Sequence, residues 1–288
     1  MREDSKVMRV FITGANGQLG QALQTALAEH ELALADLPEV DITDRVQIST
    51  AVGAFQPHVV IHCAAYTDVD GCARNPELAY HVNGLGTQNV ALACQEANAA
   101  MVHISTNEVF AGDQPAGYAE WAVLNPINPY GRSKTAAEFH VRSLLSRHYI
   151  VRTAWMYAPG GRNFIHAILR HGQEKGFVRV VSDEIGNPTS AADLAAAIAR
   201  LIATGQYGTY HFVNEGACSR LAFAQEILRQ VGAAQVEVTP ILSAEYPRAS
   251  TPPPYAALLN IAGTAVGIRL RPWQEALADY IQQHIPPQ

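Results

Sequence analysis

Residues 8–20, MRVFITGANGQLG, restrict the fold of this chain more than any other stretch. Val10, Phe11 and Ile12 make a short apolar run, the length of a buried strand. Thr13, Gly14, Ala15, Asn16 and Gly17 then turn the chain, and Leu19, Leu23, Ala26 and Leu27 follow at helical spacing. A helix entered this way presents unpaired N–H groups and a partial positive charge, which suit a pyrophosphate. Glycines let backbone approach that group closely. The spacing is Gly14-x-x-Gly17-x-x-Gly20 rather than G-x-G-x-x-G, and such a turn also occurs with no ligand at all. A second strand at 31–35, ELALA, ends on Asp36. An acid there can accept hydrogen bonds from a ribose diol; the bland alternative is a solvated turn aspartate. Leu37 and Pro38 follow, not an arginine suited to a 2′-phosphate.

The alternation continues. Thr43 is the expected N-cap of a helix reaching Phe55. Asp41 and Ile42, just before it, end an extended piece that could lie against an adenine. Residues 58–62, HVVIH, read as a buried strand, and Ala64, Ala65 and Tyr66 leave its end. Asn75-Pro76 opens a helix expected to run to about residue 98, with His81 and Asn83 on it. Residues 101–105 form a fourth strand, 130–145 a helix and 149–152 another strand. This order predicts an α/β chain with a Rossmann-type, doubly wound parallel sheet and ligands beyond the carboxyl ends of its strands.

Beyond residue 152 the pattern loosens. Residues 158–161 read as a loop, 163–171 as a short helix and 178–181 as a strand. Ser190 and Asp193 predict a capping box on an alanine-rich helix at 191–204. A strand at 210–213, helices at 219–231 and 272–284, and a proline-rich stretch between those helices complete the chain. The expected division is a dinucleotide-binding domain, 8–155 plus about 186–213. A smaller substrate lobe takes about 156–185 plus 214–288, and 1–7 form a loose leader.

Composition limits the function. With 288 residues, 48 % of them apolar, the chain can bury a large core. A formal charge of −6 and the lack of Lys/Arg clusters argue against a nucleic-acid surface. The first residues lack the apolar core of a signal peptide, and no apolar run reaches membrane-spanning length. Cys63, Cys72, Cys94 and Cys218 have no CxxC spacing and read as reduced thiols of a cytoplasmic protein without a metal site. His58, His62, His103 and His211 read as packed structural residues rather than ligands.

The chemistry points to Tyr130, Lys134 and Thr106. Residues four apart on a helix share a face, so Tyr130 and Lys134 point the same way. A nearby ammonium group favours phenolate and is expected to lower the tyrosine pKa. Tyr130 would then give its proton to a carbonyl oxygen as hydride reaches the carbon. Lys134 could bond the nicotinamide ribose, and the Thr106 hydroxyl could fix the same carbonyl. The alternative is an ordinary helix face.

Together TGANGQLG (13–20), ELALADLPEVDITD (31–44), HCAAYTDVD (62–70), STNEVF (105–110), NPINPYGRSK (125–134), VRTAWMY (151–157), NF (163–164) and DEIGNPTSAADLA (183–195) resemble the extended short-chain dehydrogenase/reductases. AAYTDVD, RTAWMY and GNPTSAADLA are most similar to the branch that reduces the 4-keto group of a dTDP-linked deoxysugar to dTDP-L-rhamnose with NADPH or NADH. The resemblance implies a catalytic set of Thr106, Tyr130 and Lys134. It implies cofactor contacts at Gly14, Gly17, Gln18, Leu19, Gly20, Asp36, Asp41, Ile42, Ala64, Ala65 and Tyr66, joined by Tyr130 and Lys134. Val69, Thr106, Glu108, Trp155 and Asn163 would meet the sugar; for Trp155 plain packing is an equal alternative. Such enzymes are often homodimers, some with Mg²⁺ at the dimer contact, but no acidic cluster here calls for a metal.

Two departures stand out. Asn107-Glu108 replaces the usual Asp-Tyr of the reductases; related dehydratases carry Asp-Glu, and Asn107 cannot act as a Brønsted acid. The usual Arg-Pro of the C-terminal lobe is absent from the stretch Pro252 to Asn260, with Arg248 nearby in sequence. Two alternatives remain at this point: an epimerase or dehydratase of the same superfamily, and a non-catalytic NAD(P)-binding regulatory subunit.

Overall fold

Six parallel strands carry the molecule, in the order β10-β5-β4-β3-β1-β2. In chain order the computed structural model, which describes residues 7–160 and 163–285, begins with β1 (Arg9–Thr13), α1 (Gln18–Ala26), β2 (Glu31–Ala35) and α2 (Arg45–Phe55). Next come β3 (Val59–His62), α3 (Val69–Arg74), α4 (Pro76–Ala79), α5 (Thr87–Glu96), β4 (Ala100–Thr106), α6 (Pro129–Leu144) and β5 (His148–Thr153). The remainder is β6 (Met156–Tyr157), α7 (Phe164–Lys175), β7 (Phe177–Val181), β8 (Ile185–Gly186), β9 (Thr189–Ser190), α8 (Ala191–Thr204), β10 (Gly208–His211), β11 (Cys218–Ser219), α9 (Arg220–Gln230), β12 (Glu237–Ile241), α10 (Ala262–Ala265) and α11 (Trp273–His284). The expected leader 1–7 falls outside the described residues except for Val7, as does Gly161 of the expected loop.

The sheet is the expected doubly wound one, and each face builds its own core. On one side Leu19, Leu23 and Leu27 of the α1 segment meet Leu194, Ile198 and Leu201 of α8 over Ile12 and Val151. On the other, Ile48 and Val52 of α2 meet Val90 and Cys94 of α5 over Val60 and Met101. A third cluster joins Ile165 and Ile168 of α7, Phe223 and Ile227 of α9, and Trp273 and Leu277 of α11. That cluster packs on β7 and β12, which pair in parallel (Phe177↔Glu237 to Val181↔Ile241). Among the described residues no helix is long and apolar enough to cross a membrane.

Local chemistry explains where the structure departs from expectation. Asp44, not Thr43, caps α2, accepting from the Val46 and Gln47 N–H groups at 2.9 and 3.1 Å. Asp41 has already taken both the Thr43 N–H and its hydroxyl, each at 2.8 Å. Asn75 does cap a helix with Pro76 in its first turn, but that rod contains a π turn over Tyr80–Gly86 before α5. The capping box at α8 is half formed: the Ser190 hydroxyl takes the Asp193 N–H at 3.5 Å. The Asp193 carboxylate instead faces Arg271 and the Asn214 amide, which are stronger partners than a single N–H. β12 hides in the sequence because Pro240 interrupts it, and Pro reads as a strand breaker.

Candidate active site

A cleft of about 890 Å³ lies along the carboxyl ends of the central strands. Its floor is the turn after β1. Gly14 sits at φ +66°, and a Cβ there would approach the Ala64 nitrogen to 2.6 Å; one at Gly20 would run into the Gly14 carbonyl. Backbone therefore packs where side chains cannot. Gly17 begins α1 with no side-chain cap, so the first N–H groups of the helix are left for a ligand. Asp36 is fixed at the far side, its carboxylate accepting from the Asn16 and Leu37 N–H groups at 2.8 and 2.9 Å. This open helix start beside a glycine cradle and a ribose-height carboxylate fits a dinucleotide.

The wall opposite comes from α6. Asn128 caps it, accepting from Gly131 N–H at 2.8 Å, and Pro129 follows. Tyr130, Lys134 and Glu138 then fall on one face, one turn apart. The π turn delivers a brace: the Asn83 carboxamide takes the Tyr66 N–H at 2.7 Å and donates to the Tyr66 carbonyl at 3.0 Å and the Ser133 hydroxyl at 2.9 Å. One side chain thus ties the loop after β3 to α6. Beneath Lys134, Glu138 is fully buried and bonded by Arg152 (2.7 and 2.8 Å) and Ser105 (2.6 Å).

Electrostatics correct one expectation. The Tyr130 phenol is held above its ordinary value, first by burial and then by Glu108 and Cys72; the Thr106 hydroxyl pulls it back. Lys134 does not bring it down. Lys134 itself, 3 % exposed, is pushed down to about 8 by burial, with Glu138 working the other way. Before ligand enters, the tyrosine is therefore a proton holder and the lysine a weak cation. Glu108 is raised by burial, and its carboxylate accepts from the Asn128 amide at 2.7 Å. Asn107 turns its amide to the Ala256 carbonyl at 3.1 Å, so it braces the C-terminal segment.

Most of the residues expected from the sequence meet here. Gly14, Gly17, Gln18, Leu19, Gly20, Asp36, Asp41, Ile42, Ala64, Ala65 and Tyr66 line the cleft, with Val69, Thr106, Glu108, Tyr130, Lys134 and Trp155. Asn163 does not. It caps α7, accepting from His166 N–H at 3.0 Å, and its amide donates to the Ala158 carbonyl and the Tyr280 hydroxyl. Trp155 adopts φ +43°, a strained value for an aromatic residue. Its indole lies under the Arg220 guanidinium, 3.7 Å from the ring centre. Arg220 and Glu184 were not marked by the sequence. Arg220 directly follows a helix cap, Ser219, where no local pattern distinguishes it from a solvated charge, and Glu184 lies in a loop within the DEIGNPTSAADLA stretch, which carried the resemblance but gave this residue no role.

Known proteins are similar to this chain over most of its length. The family described as "RmlD substrate binding domain" matches residues 8–285. The chain is 37 % identical over 277 residues to the spore coat polysaccharide biosynthesis protein SpsK of Bacillus subtilis, covering 96 % of this chain and 97 % of that one. It is 38 % identical over 279 residues to a dTDP-4-dehydrorhamnose reductase of Mycobacterium tuberculosis, covering 94 % and 91 %. Among solved structures it is similar to a dTDP-4-dehydrorhamnose reductase of Bacillus anthracis in complex with NADP. The TM-score is 0.93 and the identity 41 %, over 96 % of this chain and 99 % of that one.

Proposed function

Because the chain belongs to the RmlD substrate binding domain family, we propose that it is an NAD(P)H-dependent reductase of a dTDP-linked 4-keto-deoxysugar, converting dTDP-4-dehydrorhamnose to dTDP-L-rhamnose. The observation that carries the reading is the meeting of Thr106, Tyr130 and Lys134 in one cleft with the open N-terminus of α1. A nicotinamide cofactor held in this cleft would supply the hydride for the sugar carbonyl. Everything else is work for this chain's side chains.

Gly14, Gly17 and the first turn of α1 would hold the cofactor's pyrophosphate, and Asp36 would take its adenosine ribose. Tyr130 donates its proton to the C4 oxygen as the carbon is reduced, so the ketone becomes a hydroxyl with no charge left on oxygen. Thr106 bonds the same oxygen and fixes its angle. Lys134 offsets the developing phenolate and bonds the nicotinamide ribose. The high phenol pKa suits this direction, since a proton donor must arrive protonated. Asn107 offers no acid for loss of water, which favours reduction over dehydration. A cytoplasmic homodimer is the setting consistent with the family resemblance and the four free thiols.

The test is cofactor oxidation by purified protein with dTDP-4-keto-6-deoxy-L-mannose, run with NADPH and NADH in parallel. We expect turnover, dTDP-L-rhamnose as product, and a loss of about 10²–10⁴-fold in kcat for Tyr130→Phe with cofactor affinity retained. Cofactor binding without oxidation in wild-type protein would overturn the reading.

A further inference from the structure

Glu138 sits one turn beyond Lys134 on α6, fully buried, and both oxygens of its carboxylate are engaged. One accepts from the Ser105 hydroxyl at 2.6 Å and from Arg152 Nε at 2.8 Å. The other accepts from Arg152 Nη2 at 2.7 Å and from Arg142 Nη2 at 3.0 Å. Arg152 spends its remaining nitrogen on the Glu120 carbonyl and the His211 ring, each at 3.1 Å. Ser105 and Arg152 face each other across β4 and β5, in the pair directly before Thr106 and Thr153. One carboxylate, on the helix that carries Tyr130 and Lys134, thus holds two strands at the step below Thr106. A buried ion pair of this kind adds little stability over a well-packed apolar pair. What it adds is fixed geometry, because each bond is charge-assisted and directional.

The other titratable groups about Lys134 give it no counter-charge. His62 and Cys63 from β3 and His103 on β4 act on it or feel it, and burial keeps both imidazoles uncharged and the thiol protonated at neutral pH. Glu108 and, from α3, Cys72 act on Tyr130. The charged groups of α3, Asp70 and Arg74, face the Ser250 N–H and Asp68. Glu77 of α4 is exposed, Glu96 of α5 pairs with Arg45 at the surface, and His81 of the π turn lines the cleft. Arg142, on α6 itself, is 39 % exposed in its side chain, so solvent screens it. Burial pushes the Glu138 carboxyl up, but Arg152, Ser105 and Arg142 draw it below its ordinary range, so it carries its charge at neutral pH.

We propose that Glu138 is a positioning residue of this site: through Ser105 and Arg152 it locks the Tyr130–Lys134 face of α6 to the Thr106 end of β4, and it is the fixed anion that keeps the Lys134 ammonium charged. This rests on the reductase reading above. The chemistry asks for both parts. A cation at Lys134 stabilises the phenolate that develops as Tyr130 gives up its proton. The transfer also needs the carbonyl oxygen, held by Thr106, within hydrogen-bond reach of the phenol. Burial alone weakens the Lys134 cation, and Glu138 works against that loss. Glu138 does not line the cleft, so it acts through Lys134 and Ser105 and touches neither substrate nor cofactor.

The experiment exploits the three lysines of the chain, Lys6, Lys134 and Lys175. Full-length protein labelled with [ε-13C]lysine gives one resonance for each, Lys134→Met assigns the one of interest, and a pH titration reads its charge without any turnover. Steady-state kinetics on the keto-sugar run beside it, for wild type, Glu138→Gln, Glu138→Asp and Ser105→Ala. The Lys134 titration should fall by about one pH unit in Glu138→Gln, with the alkaline limb of kcat/KM following it. It should stay within about 0.3 of a unit in Glu138→Asp, which keeps the anion. Ser105→Ala keeps the charge and loses the tie to β4, so kcat should fall about tenfold with KM and the Lys134 titration unchanged. An unmoved Lys134 titration in folded Glu138→Gln, with only Tm lowered, would make the network structural and overturn the proposal. If Glu138→Gln does not fold, Ser105→Ala decides: the tenfold loss upholds the proposal and wild-type kcat overturns it. The two readings fail differently. Wild-type turnover with Lys134 indifferent to Glu138 removes the positioning role and leaves the reductase. A Lys134 titration that follows Glu138 in a protein without turnover keeps the anion beneath the lysine and removes the reductase.

Discussion

Tyr130 and Lys134 were visible as a pair in the sequence because helical spacing is a local property, but their charge states were not. The expectation that Lys134 lowers the tyrosine pKa considers two groups alone, whereas burial acts on both and dominates. This gives a pH prediction. Lys134, at about 8, keeps its proton below that value and loses it above, while the phenol stays protonated throughout. The kcat/KM for reduction should be level below pH 8 and fall above it; Lys134→Met should abolish that limb along with most activity. A profile still rising above pH 9 would contradict the assignment. Residues placed by backbone geometry, such as Gly14 and Asp36, could be read from their spacing. Arg220, Glu184 and the bonds of Asn163 could not, because each is defined by partners far away in sequence: Trp155, Arg248 and Tyr280.

At the scale of elements, strand and helix order followed from periodicity through β5 except for the short α3, which the reading passed over, and the ends were set by side-chain competition that no period records. The start of α2 is the clearest case. Thr43 and Asp44 are both good caps, and Asp41 decides between them by engaging Thr43 first. Asp44→Ala should therefore cost about 1 kcal/mol of stability, the worth of an N-cap. Thr43→Ala should cost less, since the Asp41 turn keeps its bond to the Thr43 N–H. Urea denaturation of the two variants distinguishes them, and the reverse ranking would sink the assignment. The π turn over Tyr80–Gly86 was equally illegible, because an extra residue in a helical turn leaves the apolar pattern almost unchanged. Its consequence is functional, since it sets Asn83 against Tyr66 and Ser133.

For the whole molecule, the alternation of strands and helices was enough to imply the sheet and the location of its cleft, whereas the C-terminal part, with short strands and Pro240, left its pairing unreadable. The sheet also buries charge-capable groups that respond to pH. His62 shares hydrogen bonds with Thr13 (2.7 Å) and Thr87 (3.0 Å), and stacks on His103 at 5.6 Å. Burial, reinforced by Lys134, lowers His62 to about 3 and holds His103 well below 6.5. Below pH 6.5 the unfolded chain therefore takes up protons that the folded chain refuses, and stability present above 6.5 is lost as pH falls toward 3. At pH 5.5 each such histidine costs about 1.4 kcal/mol. Tm should drop on acidification from pH 7.5 to 5.5, and a His62→Gln, His103→Leu variant should show a flatter curve; equal slopes would refute the linkage. The central claim, hydride transfer to the sugar with Tyr130 as proton donor, is tested most directly by isotope. Wild-type protein given cofactor deuterated at the transferring position should yield dTDP-rhamnose carrying deuterium at C4, and Tyr130→Phe should yield almost none. Product without deuterium at C4, or equal incorporation by the variant, would contradict the account.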